Sequence, residues 1–149
     1  MLEGEQIIAK ENLKTFAEEV LAECRALASN GAVVIALQGD LGAGKTTFVQ
    51  ALGKALGITE QITSPTFTIM KGYETTDVDF EHLIHMDAYR IDELSELGPL
   101  RFSDILNTPQ TLFCIEWAEK IAEALPAKVL HISLTIASEN TRTVHISHS

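Results

Sequence analysis

Two stretches of the chain are apolar at every position, residues 32–37 (AVVIAL) and residues 112–115 (LFCI). Short uninterrupted runs of this kind are typical of strands that are buried on both faces, as in parallel sheets. The first run is followed by a glycine-rich segment, and then by residues 47–56, whose composition favours a helix. The order of strand, glycine loop and helix predicts an α/β domain built around a largely parallel sheet.

The rest of the chain continues this alternation of helices and strands. Apolar residues recur at helical spacing across residues 12–29, which predicts a helix with Asn12 as its N-cap and the pair Asn30-Gly31 as its end. We expect short helical structure over residues 94–106 and a helix over 118–125 that stops at Pro126. The remaining predicted strands lie at residues 6–9, 66–73, 82–86, 129–136 and 143–146.

The last two predicted strands alternate polar and apolar residues, so we expect an antiparallel margin beside the parallel centre. No repeat, low-complexity tract or linker interrupts the sequence, which predicts one domain over residues 1–149.

The segment from Gly39 to Thr46 has the pattern G-x-x-x-x-G-K-T of a phosphate-binding loop, and it lies between the predicted strand and helix that such a loop requires. The glycines allow several backbone N–H groups to converge on one anion, and the N-terminus of the following helix adds its positive end. Lys45 supplies a cation for the β- and γ-phosphates, and the hydroxyl of Thr46 is an oxygen ligand suited to Mg²⁺. This pattern predicts a P-loop NTPase-like three-layer fold that binds ATP and Mg²⁺.

Two carboxylates stand at the ends of predicted strands, Asp87 after HLIHM and Glu116 after LFCI. Parallel strands end at the same edge of a sheet, so both carboxylates should lie near the phosphate loop. We assign Glu116 to the magnesium ion or its water shell, and Asp87 to orienting the attacking water or sensing the γ-phosphate. The base of the nucleotide has no clear signature, although residues 12–15 and the strand around Arg142 are candidates to contact it.

The formal net charge of −10 argues against a surface that grips nucleic acid by itself. No apolar run approaches the length of a membrane span, and the acidic N-terminal residues do not resemble a secretory signal, which leads us to expect a cytoplasmic protein. Cys24 and Cys114 both fall among apolar residues without a CxxC pair, so we expect them to be buried and chemically inert.

Five sequence blocks together resemble the TsaE family of small ATPases that take part in making threonylcarbamoyladenosine in tRNA. The blocks are GDLGAGKTTF at 39–48, SPTF at 64–67, HMDAYR at 85–90, ELSELG at 93–98 and IEW at 115–117. The phosphate loop alone would indicate only a superfamily, whereas the combination is much more specific.

The resemblance implies slow, Mg²⁺-dependent ATP hydrolysis by a protein that docks on a heterodimer of TsaD and TsaB and reaches tRNA only through that complex. It implies that Thr46 and Glu116 hold the metal, that residues 64–67 and 87–90 respond to nucleotide, and that Trp117 lies near it. The expected catalytic residues are Lys45, Asp87 and Glu116. The expected nucleotide-binding residues are Gly39, Asp40, Leu41, Gly42, Ala43, Gly44, Lys45, Thr46, Thr47, Thr66 and Trp117.

Three other functions remain open at the level of the sequence. Small-molecule kinases share the phosphate loop, but they usually carry an arginine-bearing lid that this chain lacks. A GTP-driven switch is disfavoured because neither an NKxD nor a DxxG segment is present. An interaction module that binds nucleotide without turning it over also remains open, because Asp87 and Glu116 can serve binding alone.

Overall fold

The structure, a computed structural model, describes residues 2–40, 42–65 and 68–149. Within these residues the chain forms a seven-stranded sheet in the order β1-β7-β6-β2-β5-β4-β3. The strands are β1 (Gly4–Ala9), β2 (Val33–Gln38), β3 (Met70–Glu74), β4 (His82–Asp87), β5 (Thr111–Glu116), β6 (Leu130–Ser138) and β7 (Thr141–His148).

The centre of the sheet is parallel and its margins are antiparallel, as the sequence predicts. Strands β4, β5, β2 and β6 run in one direction, whereas β3 pairs antiparallel with β4, and β7 and β1 extend the other side in antiparallel pairs. β2 lies between β5 and β6, and its first five residues are all buried. The uninterrupted apolar run therefore corresponds to a strand that is covered on both faces.

Helices cover both faces of this sheet and complete the three-layer α/β fold. The α-helices are α1 (Leu13–Leu27), α2 (Lys45–Ala55) and α3 (Phe102–Leu106), and short 3-10 helices span Lys10–Asn12, Leu94–Leu97 and Ala118–Ala124. One core cluster joins α1 and α2 to the sheet, with the rings of Phe16 and Phe48 5.6 Å apart. The second cluster lies on the opposite face, where Phe102 of α3 packs 5.5 Å from Phe113 of β5.

The predicted end of the first helix is wrong in both position and mechanism. α1 ends at Leu27, and Ala28 turns the chain out of the helix with extended backbone angles. Gly31 does not adopt a left-handed conformation. Its role is close approach, because a Cβ at this position would lie 2.5 Å from the carbonyl oxygen of Leu106. The same carbonyl accepts the N–H of Ala32, so the chain enters β2 against the end of α3.

Two further predicted elements need correction. The strand expected over residues 66–73 begins only at Met70, because Thr68 and Ile69 form a turn in which Ile69 has a φ of 67°; Thr66 and Phe67 lie outside the described residues. The helix expected over residues 118–125 is a 3-10 helix, Ala118–Ala124, interrupted by the non-helical angles of Ile121.

Both cysteines are buried and unpaired, as predicted. In the described part of the chain, no helix combines the length and the apolar character that crossing a membrane requires.

Candidate functional site

The glycine-rich segment forms a tight loop between the end of β2 and the start of α2. Gly39, Gly42 and Gly44 have φ angles of 150°, 84° and 106°, which side-chain-bearing residues rarely adopt. The first helical hydrogen bond runs from the N–H of Phe48 to the carbonyl of Gly44. The first-turn residues Lys45, Thr46 and Thr47 therefore have N–H groups without a partner inside the helix, and two of these residues are the last two of the loop pattern.

The remaining loop residues shape this turn through their backbone. The carbonyl of Asp40 accepts the N–H of Ala43 at 3.0 Å, and the Ala43 side chain is buried in the core. Leu41, predicted to belong to the nucleotide site, lies outside the described residues, as does Thr66.

Lys45, the first residue of α2, folds its side chain back over the loop. Its Nζ donates to the carbonyl oxygen of Gly39 at 2.5 Å and lies 4.4 Å from the centre of the Trp117 ring. The side chain is buried, and among the described residues its ammonium contacts a neutral carbonyl and an aromatic face. An anion entering the loop would offer this ammonium a stronger, charge-assisted hydrogen bond than the carbonyl does.

The two predicted carboxylates are the last residues of neighbouring strands. Asp87 ends β4 and Glu116 ends β5, and the two are paired across the parallel ladder. Side chains alternate between the two faces of a strand, so Asp87 is on the same face as Leu83, and Glu116 is on the same face as Cys114. Leu83 and Cys114 both pack in the core cluster under α1 and α2. This alternation directs them to the side of the sheet on which the phosphate loop leads into α2.

Contacts across this edge link the second strand end to α2. The hydroxyl of Thr46 donates to Oε2 of Glu116 at 3.2 Å. Oδ1 of Asp87 accepts the backbone N–H of Tyr89 at 2.9 Å, which holds that carboxylate at the start of the turn after β4. Both carboxylates are buried.

One cavity of about 200 Å³ brings most of these side chains together. Of the residues predicted for the site, it is lined by Gly42, Gly44, Lys45, Thr46, Thr47, Asp87, Glu116 and Trp117, and Ser64 of the predicted closing segment also lines it. The cavity therefore combines a helix N-terminus and an ammonium group, which attract anions, with hydroxyl and carboxylate oxygens, which attract a hard cation.

Trp117 is the aromatic residue that lines this cavity. Trp117 has a φ of 57°, a left-handed conformation that is uncommon for a bulky residue. Its ring lies 5.1 Å from the ring of Tyr89, centre to centre. The chain thus turns sharply after Glu116 and presents the indole to the ammonium of Lys45.

A second cavity, of about 250 Å³, adjoins the first across the phosphate loop, since Gly42, Gly44 and Thr47 line both. Its other lining includes Leu13 and Arg142. Arg142 donates from Nε to the carbonyl of Ala43 at 3.1 Å, so β7 is tied to the loop. Residues near both ends of the chain therefore meet beside the glycine loop.

A buried histidine is the site residue to which the sequence analysis gave no role. Nε2 of His85 lies 2.5 Å from Oε2 of Glu116, the same oxygen that Thr46 contacts. The available signal was its spacing, because His85 precedes Asp87 by two positions on a predicted strand and so shares its face. Only the pairing of β4 with β5 reveals that this face also carries Glu116.

Comparison with known proteins shows the family of this chain. The family model described as "Threonylcarbamoyl adenosine biosynthesis protein TsaE" matches residues 8–144. The chain belongs to the TsaE family. The match includes the phosphate loop, both strand ends and Arg142.

Several relatives of the TsaE family carry the name "tRNA threonylcarbamoyladenosine biosynthesis protein TsaE". One from Bacillus subtilis is 42% identical over 112 residues, which cover 74% of this chain and 66% of that protein, slightly under two thirds of its length. One from Nostoc is 39% identical over 76% of this chain and 69% of the relative, and one from Treponema pallidum is 38% identical over 81% and 85%.

The fold of this TsaE family member is also found in a solved structure. The crystal structure of Bacillus subtilis YdiB superposes with a TM-score of 0.66 at 30% sequence identity, covering 98% of this chain and 86% of that one.

Proposed function

We propose that this chain is a Mg²⁺-dependent ATPase that serves threonylcarbamoyladenosine formation in tRNA by acting on a TsaD–TsaB heterodimer. The observation that carries the proposal is the single cavity in which Lys45, Thr46, Asp87 and Glu116 surround the start of α2. Family membership supports the biosynthetic role, and the chemistry of the cavity supports the nucleotide.

The phosphates of ATP fit the loop and the first turn of α2. Their charge is stabilised by the helix N-terminus and by Lys45, which exchanges the Gly39 carbonyl for phosphate oxygens when nucleotide enters. Because Lys45 lies against Trp117, this exchange changes the electrostatic surroundings of the indole. Tryptophan fluorescence should therefore report nucleotide binding.

The donor atoms near Thr46 fit a magnesium ion bound together with phosphates. The Thr46 hydroxyl and the Glu116 carboxylate are hard oxygen donors in contact with each other, and Mg²⁺ commonly takes one or two protein ligands, with water and phosphate completing the shell. In the described residues no group of three or more His, Cys, Asp or Glu side chains is arranged to hold a metal by itself. When bound, Mg²⁺ neutralises charge that develops on the phosphates.

Asp87 is the residue proposed to orient the attacking water. It lines the cavity beside Glu116, and its carboxylate is fixed by the N–H of Tyr89. A carboxylate held in this way accepts a hydrogen bond from water and directs the water's oxygen towards the γ-phosphate. Ser64 also lines the cavity, and it supplies a second polar group from the segment proposed to respond to nucleotide.

The cavity beside the loop is proposed to receive the base. Ile8, Leu13 and Leu134 give it apolar walls suited to a flat heterocycle. Its shared border with the first cavity supports one nucleotide extending through both. We propose adenine as the base, and competition between ATP and GTP in the binding assay tests this choice.

Hydrolysis and binding are separated by measuring phosphate release and nucleotide affinity on the same variants. Asp87→Ala should bind ATP with Mg²⁺ and lose hydrolysis, whereas Lys45→Ala should lose affinity. Glu116→Gln should raise the magnesium requirement, with Glu119→Gln as the control, because Glu119 has the same charge at an exposed position three residues away.

Each rival function predicts a different result in this assay. Phosphate transferred to an added acceptor would indicate a kinase, and tight ATP binding without release, even with TsaD and TsaB present, would indicate an interaction module. Normal hydrolysis by Asp87→Ala would remove its proposed role.

A further inference from the structure

The side chain of His85 is fully buried beneath the phosphate site, and none of the roles proposed above uses it. It lies in β4 opposite Cys114 of β5, which places it diagonally from Glu116, two residues further along that strand. The Nε2–Oε2 separation of 2.5 Å makes this a direct hydrogen bond. Since a carboxylate only accepts, the proton in this contact belongs to Nε2.

The carboxylate of Glu116 is held by two donors from different elements. Nε2 of His85 reaches Oε2 from the sheet, and the Thr46 hydroxyl reaches the same oxygen from α2. Two donors on one oxygen fix the plane of the carboxylate and therefore the direction of its second oxygen. Thr46 alone cannot do this once its hydroxyl turns to a metal ion, so the histidine is the donor that remains.

A histidine at this position leaves one of its two ring nitrogens without a hydrogen bond. Among the described residues, Nδ1 of His85 is the buried side-chain nitrogen or oxygen for which no hydrogen-bond partner is found. Leaving a buried polar atom unpaired destabilises the folded state, because the atom loses its hydrogen bonds to water and gains none in return. An apolar side chain of similar volume on the same face of the sheet would avoid this cost. A role in packing alone therefore does not explain the choice of histidine, whereas a donor to Glu116 does.

We propose that His85 is a positioning residue of the metal site, whose Nε2–H orients Glu116 for Mg²⁺ or its water shell. This inference rests on the proposed Mg²⁺–ATP function. Outer partners of this kind typically change metal affinity by about 10- to 100-fold when they are removed. The predicted effect is therefore on the magnesium dependence of binding, with little change in the affinity for nucleotide without metal.

The test uses two polar variants that differ in reach. Glutamine places its amide nitrogen near the position of Nε2, so His85→Gln can still donate to Glu116. Asparagine is one methylene shorter, so His85→Asn is equally polar but does not reach. His85→Met removes the donor and keeps the volume. Thermal melts of all three variants identify those that fold.

Binding heat is measured for ATP at increasing Mg²⁺ concentration, and for ATP in EDTA. We expect His85→Asn and His85→Met to require at least about tenfold more Mg²⁺ for half-saturation, while their affinity for ATP in EDTA stays within about twofold of the wild type. His85→Gln should recover most of the loss. A downfield, exchange-protected imidazole proton in the wild type, absent from His85→Gln, would report the hydrogen bond directly.

The outcomes separate this inference from the proposed function. If the wild type binds no ATP with Mg²⁺, or shows no magnesium dependence, the proposed function fails and the role of His85 fails with it. If the wild type titrates with Mg²⁺ and His85→Asn titrates identically, only the inference about His85 is overturned. Equal weakening in Mg²⁺ and in EDTA would also overturn it, because that result indicates a general structural role.

Discussion

The substitution Gly39→Ala tests the packing of the phosphate loop without any assumption about its ligand. Two penalties act at this position. The φ of 150° is unfavourable for alanine, and the new Cβ would lie 2.5 Å from the carbonyl oxygen of Leu134 in β6 and 3.3 Å from Cβ of Ala43. The nearest atom belongs to the backbone of a central strand, so it cannot rotate away as the end of a side chain would.

The matched control is Gly42→Ala. Gly42 also has a positive φ, of 84°, but a Cβ there would meet no atom within 4 Å. An unfavourable backbone angle costs about 1–3 kcal/mol, and steric overpacking about 1–3 kcal/mol more. The stabilisation that alanine brings by restricting the unfolded chain, about 0.4–1 kcal/mol, is common to both variants and cancels in the comparison.

We therefore expect Gly39→Ala to lower the free energy of unfolding by about 2–6 kcal/mol and Gly42→Ala by about 1–3 kcal/mol. The stabilisation of about 0.4–1 kcal/mol from the restricted unfolded chain reduces both losses equally. Equilibrium unfolding in urea, followed by far-ultraviolet circular dichroism in the absence of nucleotide, measures both values. Equal destabilisation of the two variants would refute the argument, because it would mean that the contact with β6 has no energetic consequence.

Three further predictions concern the buried core and one ion pair. Burial raises the pKa of the Cys24 thiol to about 12 and also raises that of Cys114, so neither should react with iodoacetamide at pH 8 until the protein is unfolded, as mass spectrometry would show. Burial raises the pKa of Asp77, but backbone N–H groups and the guanidinium of Arg25 outweigh this and hold it below its ordinary value. The carboxylate thus stabilises the fold at neutral pH, and this contribution disappears as the pH falls through its folded pKa. In Asp77→Asn the free energy of unfolding should therefore fall less steeply as the pH is lowered, and an unchanged slope would contradict this. Phe48→Ala should cost about 3–5 kcal/mol in urea unfolding, because its ring is fully buried; a loss below about 1 kcal/mol would mean that the core collapses around the gap.

The sequence determined the parts of this protein that depend on local pattern. The apolar run at residues 32–37 is nearly the extent of β2, because a strand covered on both faces strongly favours apolar side chains. The glycine loop between β2 and α2 was equally readable, since its glycines, lysine and threonine follow one pattern over eight consecutive positions. The placement of Asp87 and Glu116 at strand ends followed from where the apolar runs stop.

Local pattern failed where the backbone is set by neighbours that are distant in sequence. Gly31 suggested a left-handed helix end, but it is a glycine because the carbonyl of Leu106 lies against it. The strand predicted from residue 66 starts later, at Met70, because the chain turns at Thr68 and Ile69 before pairing with β4.

Tertiary structure alone decided how the site is assembled. The pairing of β4 with β5 brings His85 to Glu116, and the order of strands carries Arg142 of β7 to the loop at Ala43. These contacts join residues 31 and 99 positions apart, and neither residue type nor spacing specifies them. A sequence lists which groups can bind a phosphate or a metal, whereas strand order and register determine which of them meet.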